Sequence, residues 1–489
     1  MIRTMARALT VALMIASAPA FAVDELPDLG DSSARMLSPE REREYSQGLL
    51  RQLRNYDITV EDAEINEYYE TLAFRLLAAS GRTEGDFHFA MANVPVINAF
   101  ASPGGLIVMF SGLMLAAENE SEMAGVLAHE IAHVTQKHIA RAMESTAEDM
   151  LPILLGSIAL AIAAQGQGDG SQAAIIGGMS LLQQRQINFT RENEFEADRV
   201  GIQTLAKAGF DPTGMADFFA RLGQVYRAQG EQPPQYLQTH PVTTVRIAEA
   251  KARADGLRIG TTKTSLEFAL MRERLRVITS RDLSGLVRYY RDKKRDNEID
   301  PTALRYGLAL AHIRLGDAKA AKQQLDAISG ALRGRLTHEL ALAEYERAAG
   351  DDAAAQRRYE RLLSERPGHR VVTVAFARAQ IERDDASGGR KAVAALRDVL
   401  PRFPNDPEMH ELMARASQLS GDEVRAAEAY AQAFFLRGKF EDAMKQLERT
   451  AERDDLDYYQ RARIDAQVAE WRPIVLRERR AALDAARQQ

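Results

Sequence analysis

The sequence predicts a mainly α-helical protein in two parts: an α+β domain with a small β-hairpin or sheet, followed by an all-α solenoid of repeats. In the first part, long stretches carry apolar residues at helical spacing, and two short apolar runs flank a turn at residues 102–105. In the second part, which begins at Pro301, a Gly-Asp turn recurs between helical segments. We therefore predict a first domain at residues 23–260, a helical connector at 261–300 and a repeat domain at 301–489.

The composition is that of a folded protein. The chain has 489 residues, of which 46% are hydrophobic and 27% are charged, and this balance excludes a disordered chain. There is no cysteine, so disulfides and thiolate metal sites are excluded, and any metal must be bound by histidines and carboxylates. The net charge of −6 gives no indication of nucleic acid as a partner.

The first 22 residues have the pattern of a secretory signal peptide. Arg3 and Arg7 precede an apolar run at residues 8–18, and residues 20–22 (A-F-A) form a cleavage signal. We expect export and cleavage after Ala22; a retained membrane anchor is the alternative, but the apolar run is short for one. Cleavage removes two arginines and no acidic residue, so the net charge changes from −6 to −8.

Helical and strand patterns alternate along the first domain. Residues 61–79 have helical spacing, residues 87–92 alternate like a short strand, and residues 97–110 read as strand, Ser-Pro-Gly-Gly turn, strand. Such a hairpin offers an edge to which an extended peptide can add as a strand, or it is purely structural. Asn119 and Glu122 predict the capped start of the next helix.

An H-E-x-x-H pattern, formed by His129, Glu130 and His133, lies inside an amphipathic run at residues 120–145 that predicts a helix. Residues i and i+4 share a face of a helix, so His129 and His133 can reach one metal ion. Glu130, beside the first histidine, is suited to take a proton from an activated water. The alternative is a pair of ordinary helix histidines.

A second helix, opening at residues 190–201 (TRENEFEADRVG), supplies carboxylates. Glu194, 61 residues after the second histidine, is the predicted third ligand, because two histidines, one glutamate and an open position are common in catalytic zinc sites. Asp198 shares its face and is predicted to hydrogen-bond a ligand imidazole, fixing its tautomer. Glu192 and Glu196 are competing carboxylates that point elsewhere on the helix. The alternative is a chance acidic face.

Two further candidates follow in a loop and the helix after it. His240 precedes Pro241, in a loop where a histidine can be aimed at a site, and Arg246 lies six residues later. His240 is predicted to be either a fourth zinc ligand that keeps the site inactive or a transition-state donor, and Arg246 is the other candidate donor. His138, nine residues after His129, lies about 180° round a continuous helix and is excluded as a ligand of the same metal.

Two apolar runs, at residues 151–164 and 173–182, flank a Gly-rich segment. Neither reaches the roughly 20 residues that a membrane-spanning helix needs. We interpret residues 151–182 as a helical hairpin that touches a membrane surface or covers the active site; a buried core hairpin is the alternative.

The Gly-Asp turn of the second part recurs 34 residues apart at Gly316 and Gly350, which is the period of tetratricopeptide repeats. Gly421 repeats the turn 71 residues after Gly350, about two periods, with a small insertion expected at residues 384–389. One repeat cannot bury its own apolar face, so the repeats must stack into a solenoid with a concave surface. Because repeats contact mainly their neighbours, we expect the preceding domain to fold without them.

Three motifs carry a family resemblance. In order, residues 129–133, 194–198 and 239–246 match the HEXXH zinc peptidases that include the heat-shock membrane protease HtpX and the CAAX prenyl endopeptidases. Those relatives are embedded in membranes, whereas this chain has a predicted signal peptide and carboxy-terminal repeats.

The resemblance implies a gluzincin-type metalloprotease domain. By carry-over, His129, His133 and Glu194 bind one Zn²⁺ per chain, and Glu130 is the general base. Asp198, predicted from its spacing on the helix, is the second catalytic candidate.

Together with export and the tetratricopeptide-repeat solenoid, the resemblance implies a periplasmic zinc-dependent endopeptidase. Its expected role is quality control and assembly of outer-membrane proteins, with misfolded or stalled outer-membrane proteins as substrates. The repeats would bind the assembly machinery or its clients as a chaperone does. One alternative is mainly a repeat-based chaperone or scaffold whose protease site is normally held inactive. Another is a non-catalytic descendant with a structural zinc, against which the intact Glu130 argues.

Overall fold

The fold agrees with the predicted class: a small three-stranded sheet lies within a mainly helical domain, and helical repeats follow it. The computed structural model describes residues 38–82, 85–138, 191–229, 235–257, 265–296 and 299–487. The predicted signal peptide and the predicted apolar hairpin at 151–182 lie outside these residues. Among the helices that it describes, none is long and apolar enough to cross a membrane.

The first part contains ten described helices and three strands. Their bounds are α1 Pro39–Asn55, α2 Ala63–Ser80, β1 His88–Ala92, β2 Ala99–Ala101, β3 Leu106–Phe110, α3 Ser111–Ala116, α4 Glu120–Thr135, α5 Arg191–Lys207, α6 Gly214–Gln229, α7 Gln235–Thr239, α8 Thr244–Asp255, α9 Leu266–Thr279 and α10 Leu283–Asp296.

The sheet has β3 at its centre, paired in parallel with β1 and antiparallel with β2. The predicted hairpin is confirmed, with Phe100 opposite Val108. Its turn needs glycine, because Gly104 and Gly105 have φ angles of +76° and +82°, and a Cβ on Gly104 would overlap the backbone carbonyl of Glu42. Strand β2 is an edge strand and packs beside α4.

Helix α4 begins as predicted and ends earlier than the amphipathic run suggests. The Asn119 side chain accepts a hydrogen bond from the Glu122 N–H at 2.9 Å, and the Glu122 carboxylate accepts one from the Glu118 N–H at 2.8 Å. The helix ends at Thr135 instead of continuing to residue 145. Lys137, with φ of +55°, turns the chain through the left-handed region and so breaks the helical path.

Glycines allow three helices to approach closely around the middle of α4. A Cβ on Gly125 of α4 would lie 2.8 Å from the Met215 Cα of α6. A Cβ on Gly201 of α5 would lie 2.8 Å from the Met215 Cε and 3.2 Å from the His129 backbone nitrogen. Because no side chain separates them, α5 lies directly against the turn of α4 that carries His129.

The repeat region consists of helix pairs. Their bounds are α11 Pro301–Arg314, α12 Ala318–Ile328, α13 Leu336–Ala348, α14 Asp352–Glu365, α15 Arg370–Ile381, α16 Ala386–Val399, α17 Pro407–Ser420, α18 Glu423–Leu436, α19 Phe440–Ala451 and α20 Tyr458–Arg487, with a short 3₁₀ helix at Leu400–Arg402.

Each Gly-Asp turn has a physical cause. Gly316, Gly350 and Gly421 have φ angles of +74°, +80° and +84°, which end the first helix of the pair. The aspartate that follows each glycine accepts a hydrogen bond from a backbone N–H three residues on, and thus caps the second helix.

The expected insertion at residues 384–389 is wrong. Asp384, 34 residues after Gly350, takes the left-handed conformation of the turn with φ of +53°, and Asp385 caps α16. The period is therefore kept there, and the extra residues lie at 400–406, in the 3₁₀ helix and its loop. The sequence pattern missed this turn because an aspartate stands where the other repeats have glycine.

The two parts of the chain share one hydrophobic core. Buried Tyr69 of α2 belongs to the same cluster as Tyr306 and Leu310 of α11 and Leu325 of α12. In the predicted connector, Phe268 and its neighbours on α9 are also buried in this cluster. The shared core argues against the expectation that the preceding domain folds without the repeats, and the domain boundaries stay predictions.

Later repeats also contact the first two helices. Arg54 of α1 donates to the Leu436 carbonyl at 3.4 Å, and Arg370 of α15 lies 3.2 Å from the Glu70 carboxylate of α2. At the far end, Arg477 of α20 lies 3.1 Å from Glu44 of α1. The later repeats therefore pack against α1 and α2, and do not simply extend away from the first domain.

Candidate metal centre

Four buried side chains from three places in the chain converge on one point. His129 and His133 on α4, Glu194 on α5 and His240 in the loop after α7 each present one ligand atom, and these atoms all lie within 4.8 Å of one another. The i,i+4 spacing on α4 brings the first two together, and close packing of α4 on α5 brings the glutamate to them. All three predicted ligands and the candidate fourth therefore meet.

The spacing of the four atoms fits a small cation. The His129 Nε2 lies 3.0 Å from the His133 Nε2 and 3.3 Å from the His240 Nδ1. The Glu194 Oε1 lies 3.4 Å from the His133 Nε2 and 3.1 Å from the His240 Nδ1. Ligand atoms at about 2.0–2.1 Å from a tetrahedral zinc are roughly 3.3 Å apart. Three imidazole nitrogens and a carboxylate oxygen at such distances can share one cation.

The predicted supporting carboxylate, Asp198, lies on the side of His129 that faces away from the other ligand atoms. The His129 Nδ1 is 3.0 Å from the Asp198 Oδ1, so this carboxylate lies beside the ring nitrogen opposite the Nε2, which faces the other ligand atoms. As the spacing predicts, Asp198 shares a face of α5 with Glu194, and both are buried.

Arg246 fixes both carboxylates and the loop of His240. Its Nε and Nη2 donate to the two Asp198 oxygens at 2.8 Å each, and its Nη1 lies 2.7 Å from the Glu194 Oε2. The same Nη1 donates to the Pro241 carbonyl at 2.9 Å. The guanidinium is thus engaged within the site, and the transition-state donor role predicted for it stays a prediction.

Burial and charge shift the pKa values in opposite directions here. Burial lowers the pKa of His129, but hydrogen bonds to Asp198 and Glu194 outweigh it and raise that pKa to about 9. Burial dominates at His133, whose pKa falls well below its usual value. Burial opposes ionisation of Glu194, yet the three histidines around it hold its pKa well below the usual range. The site therefore carries ionised carboxylates that attract a cation.

His240 contacts the catalytic candidate as well as the ligand atoms. Its Nε2 lies 3.6 Å from the Glu130 Oε1, and its ring stacks on Tyr236 with centroids 4.8 Å apart. Tyr236 is fully buried, and its hydroxyl has no hydrogen-bond partner among the described residues. No sequence motif marks this tyrosine, so its place in the site is visible only in the structure.

His138 and Glu196 are the other residues that sequence reasoning missed. His138 is outside the four-atom group, as predicted, yet it lies against His133 and is fully buried. Glu196, expected to point elsewhere, contacts His138. The predicted helix continues past Thr135, and on such a helix His138 points away from His133. Knowing that the helix ends at Thr135 would have revealed this contact.

Comparison with known proteins decides the family. Residues 60–254 match peptidase family M48, and residues 346–416 match the tetratricopeptide repeat. The chain is 32% identical to a beta-barrel assembly-enhancing protease of Yersinia pestis, over 93% of each chain. The chain belongs to peptidase family M48. It is therefore a metalloprotease, as the three motifs predict, and proteins or peptides are the substrates of such an enzyme.

Two further relatives delimit the similarity. A beta-barrel assembly-enhancing protease of Escherichia coli K12 is 31% identical over 97% of this chain and 96% of its own. A mitochondrial metalloendopeptidase of Arabidopsis thaliana is 30% identical over only 187 residues, 37% of this chain and 35% of its own. The similarity to the bacterial relatives thus extends over nearly the whole chain, whereas that to the mitochondrial protein covers about a third of it.

Proposed function

We propose that the chain is a zinc-dependent endopeptidase in which His129, His133 and Glu194 bind one Zn²⁺. The observation that carries this proposal is the four-atom cluster with Glu130 beside it. Zinc, when bound, supplies a Lewis acid that polarises a scissile carbonyl and lowers the pKa of water.

In this proposal, Glu130 acts as the general base. Its carboxylate takes a proton from the attacking water and passes it to the leaving amine. Asp198 orients His129, and Arg246 holds Asp198 and Glu194 in place, so both support the chemistry from outside the ligand set. Among the described residues β2 pairs only with β3, and its other edge, beside α4, suits an extended substrate peptide.

The metal assignment predicts a loss of zinc on removal of the glutamate ligand. Glu194→Ala should lower the zinc content of the purified protein from one ion per chain to a small fraction, because two histidines alone bind weakly. Glu192→Ala, an exposed carboxylate two residues earlier on the same helix, is the matched control and should keep its zinc. Metal analysis after dialysis measures both. Unchanged zinc in the Glu194 variant would remove this residue from the site.

We further propose that His240 is a fourth ligand that keeps the resting site closed. Its Nδ1 joins the ligand atoms, while its Nε2 faces Glu130, so one imidazole engages both the open position and the base. Arg246, through the Pro241 carbonyl, holds the loop in this arrangement. Movement of the loop would free the site.

The sign of one substitution separates the two functions considered for His240. If it closes the site, His240→Ala raises basal proteolysis and self-cleavage several-fold, and adding Glu130→Gln abolishes both. If it is a transition-state donor, the same variant lowers kcat. Val245→Ala, an exposed position at the start of α8, is the control and should leave both rates unchanged. Rates on a casein substrate at fixed zinc concentration decide between them.

For the cellular role, we propose a periplasmic protease that acts in the assembly and quality control of outer-membrane proteins. The named bacterial relatives support this, together with the predicted signal peptide cleaved after Ala22. The repeats would bind the assembly machinery or its clients, including misfolded or stalled outer-membrane proteins. Capture of partners from envelope extract by the Glu130→Gln protein, with and without crosslinking, tests this role; recovery of no outer-membrane protein or assembly component would contradict it.

A chaperone or scaffold function through the repeats is the second candidate, and the match at residues 346–416 favours it. An effect on outer-membrane assembly that survives Glu130→Gln would assign that effect to the repeats. The contact of residues 151–182 with a membrane surface or with the cleft falls outside the described residues and stays a prediction.

A further inference from the structure

His138 lies directly behind the second histidine of the metal centre. Its Nδ1 is 3.0 Å from the His133 Nδ1, and its Nε2 is 3.1 Å from the Glu196 Oε2. The His138 side chain is fully buried, whereas the Glu196 side chain is 32% exposed. The three groups therefore form a line from the metal centre towards the surface.

If His133 is a metal ligand, that role determines which ring nitrogens of His133 and His138 carry a proton. A neutral imidazole has one N–H and one lone pair. If the His133 Nε2 lone pair faces the metal, the Nδ1 carries the proton and must donate it. The His138 Nδ1 is then the acceptor, so its proton is on Nε2, which donates to Glu196. Each of the two short distances thus corresponds to one hydrogen bond with a defined direction.

The first histidine has an equivalent support of different chemistry. The His129 Nδ1 faces Asp198, which Arg246 holds by two hydrogen bonds. Helix α5 thus supplies a supporting carboxylate for each ligand histidine. Asp198 contacts His129 directly, and Glu196 acts on His133 through His138. Both ligand imidazoles are then oriented from behind.

The chain reaches this arrangement only because α4 stops early. On a continuous helix His138 would point away from the metal centre. The helix ends at Thr135, and the left-handed Lys137 brings the next residue back beside His133. A buried histidine that follows a helix end and a left-handed residue, with both ring nitrogens within hydrogen-bond distance of a partner, has a defined position.

We propose that His138 and Glu196 are a positioning pair for the metal ligand His133. The pair holds the His133 ring in its ligand orientation and its tautomer, and His138 itself does not touch the metal. This inference rests on the proposed zinc ligand set. Loss of such an outer hydrogen bond typically weakens metal binding about 10- to 100-fold.

The test is metal affinity measured on the full-length protein, with Zn²⁺ by chelator competition and with Co²⁺ by its visible absorption. His138→Leu removes the acceptor and should weaken both metals about 10- to 100-fold and shift the Co²⁺ band. His138→Asn keeps an oxygen near the position of the Nδ1 and should stay within about threefold of the parent. Glu196→Ala should fall between them. Glu192→Ala, exposed on the same helix, is the control and should match the parent.

Each outcome decides a different point. Parent-like affinity and Co²⁺ spectrum in both His138→Leu and Glu196→Ala would overturn the positioning pair while leaving the zinc site intact. Equal weakening in the Leu and Asn variants would assign His138 a packing role only and would also overturn it. A parent protein that binds neither metal would instead refute the proposed function. If His138→Leu does not fold, the comparison of Glu196→Ala with Glu192→Ala decides the matter.

Discussion

Glu130→Gln should reduce proteolysis by about 10²- to 10⁴-fold, the range that a general base typically contributes. The substitution keeps the size of the side chain but removes its ability to take a proton. Glu130 is 1% exposed and is not one of the four converging ligand residues, so the metal should stay bound. Initial rates on an unfolded outer-membrane β-barrel protein and on casein measure the effect.

Two controls show whether a loss of activity in Glu130→Gln is specific to this residue or comes from loss of zinc or of the fold. Zinc content and the unfolding temperature of Glu130→Gln should match those of the parent, because glutamine has nearly the same size and shape as glutamate and Glu130 is not one of the four converging ligand residues. Glu192→Gln, at an exposed position, should keep full activity. Activity of the Glu130 variant within tenfold of the parent would contradict the proposed base.

The metal centre was predictable to the extent that it depends on local geometry. His129 and His133 are four apart on one helix, and Asp198 follows Glu194 by the same interval, so each pair shares a face whatever the tertiary structure is. His240 was a candidate because a histidine before a proline lies in a loop. The chemistry of the residue types then joined these local groups into one site.

Features that depend on where a helix ends or where the chain turns could not be predicted from local spacing. Helix α4 ends at Thr135, so an angle measured along a continuous helix misplaces His138, and at Asp384 an aspartate stands where a glycine would have marked the turn. Similarly, the apolar side of α9 indicates that the helix is buried but does not identify the residues against which it packs. In the structure, Phe268 and Leu275 pack in the core shared with the repeats, and no periodicity reveals that choice.

The shared core has a charged counterpart at the junction of the two parts. Arg274 of α9 lies 2.9 Å from both Asp62 and Glu64 at the start of α2, and it also donates to the Tyr306 hydroxyl of the first repeat at 3.3 Å. Burial raises the pKa of Glu64 to about 8 although Arg274 opposes the shift. Asp62 and Arg274 both precede the repeats, so loss of the repeats would keep this ion pair but remove its contact with Tyr306 and the cover that buries it.

Deletion of residues 301–489 should therefore prevent folding of the remaining chain, contrary to the expectation from repeat architecture alone. The deletion removes Tyr306, Leu310, Leu325 and Ile328, all buried in the core that also contains α2 and α9. A buried side chain of this size contributes about 1.5–3 kcal/mol, so four of them approach the roughly 5–15 kcal/mol by which a domain is stable. Circular dichroism, thermal unfolding and zinc content of the fragment 23–300 measure the result.

A shorter deletion is the matched control. Removal of residues 458–489 takes away α20, whose buried Ile464, Trp471 and Val475 belong to a separate small cluster with α18 and α19. That protein should lose stability only locally, because contacts at the end of a repeat array are mostly between neighbours, and it should keep its zinc. A soluble 23–300 fragment that unfolds cooperatively and binds one zinc ion would contradict the shared core as the basis of folding.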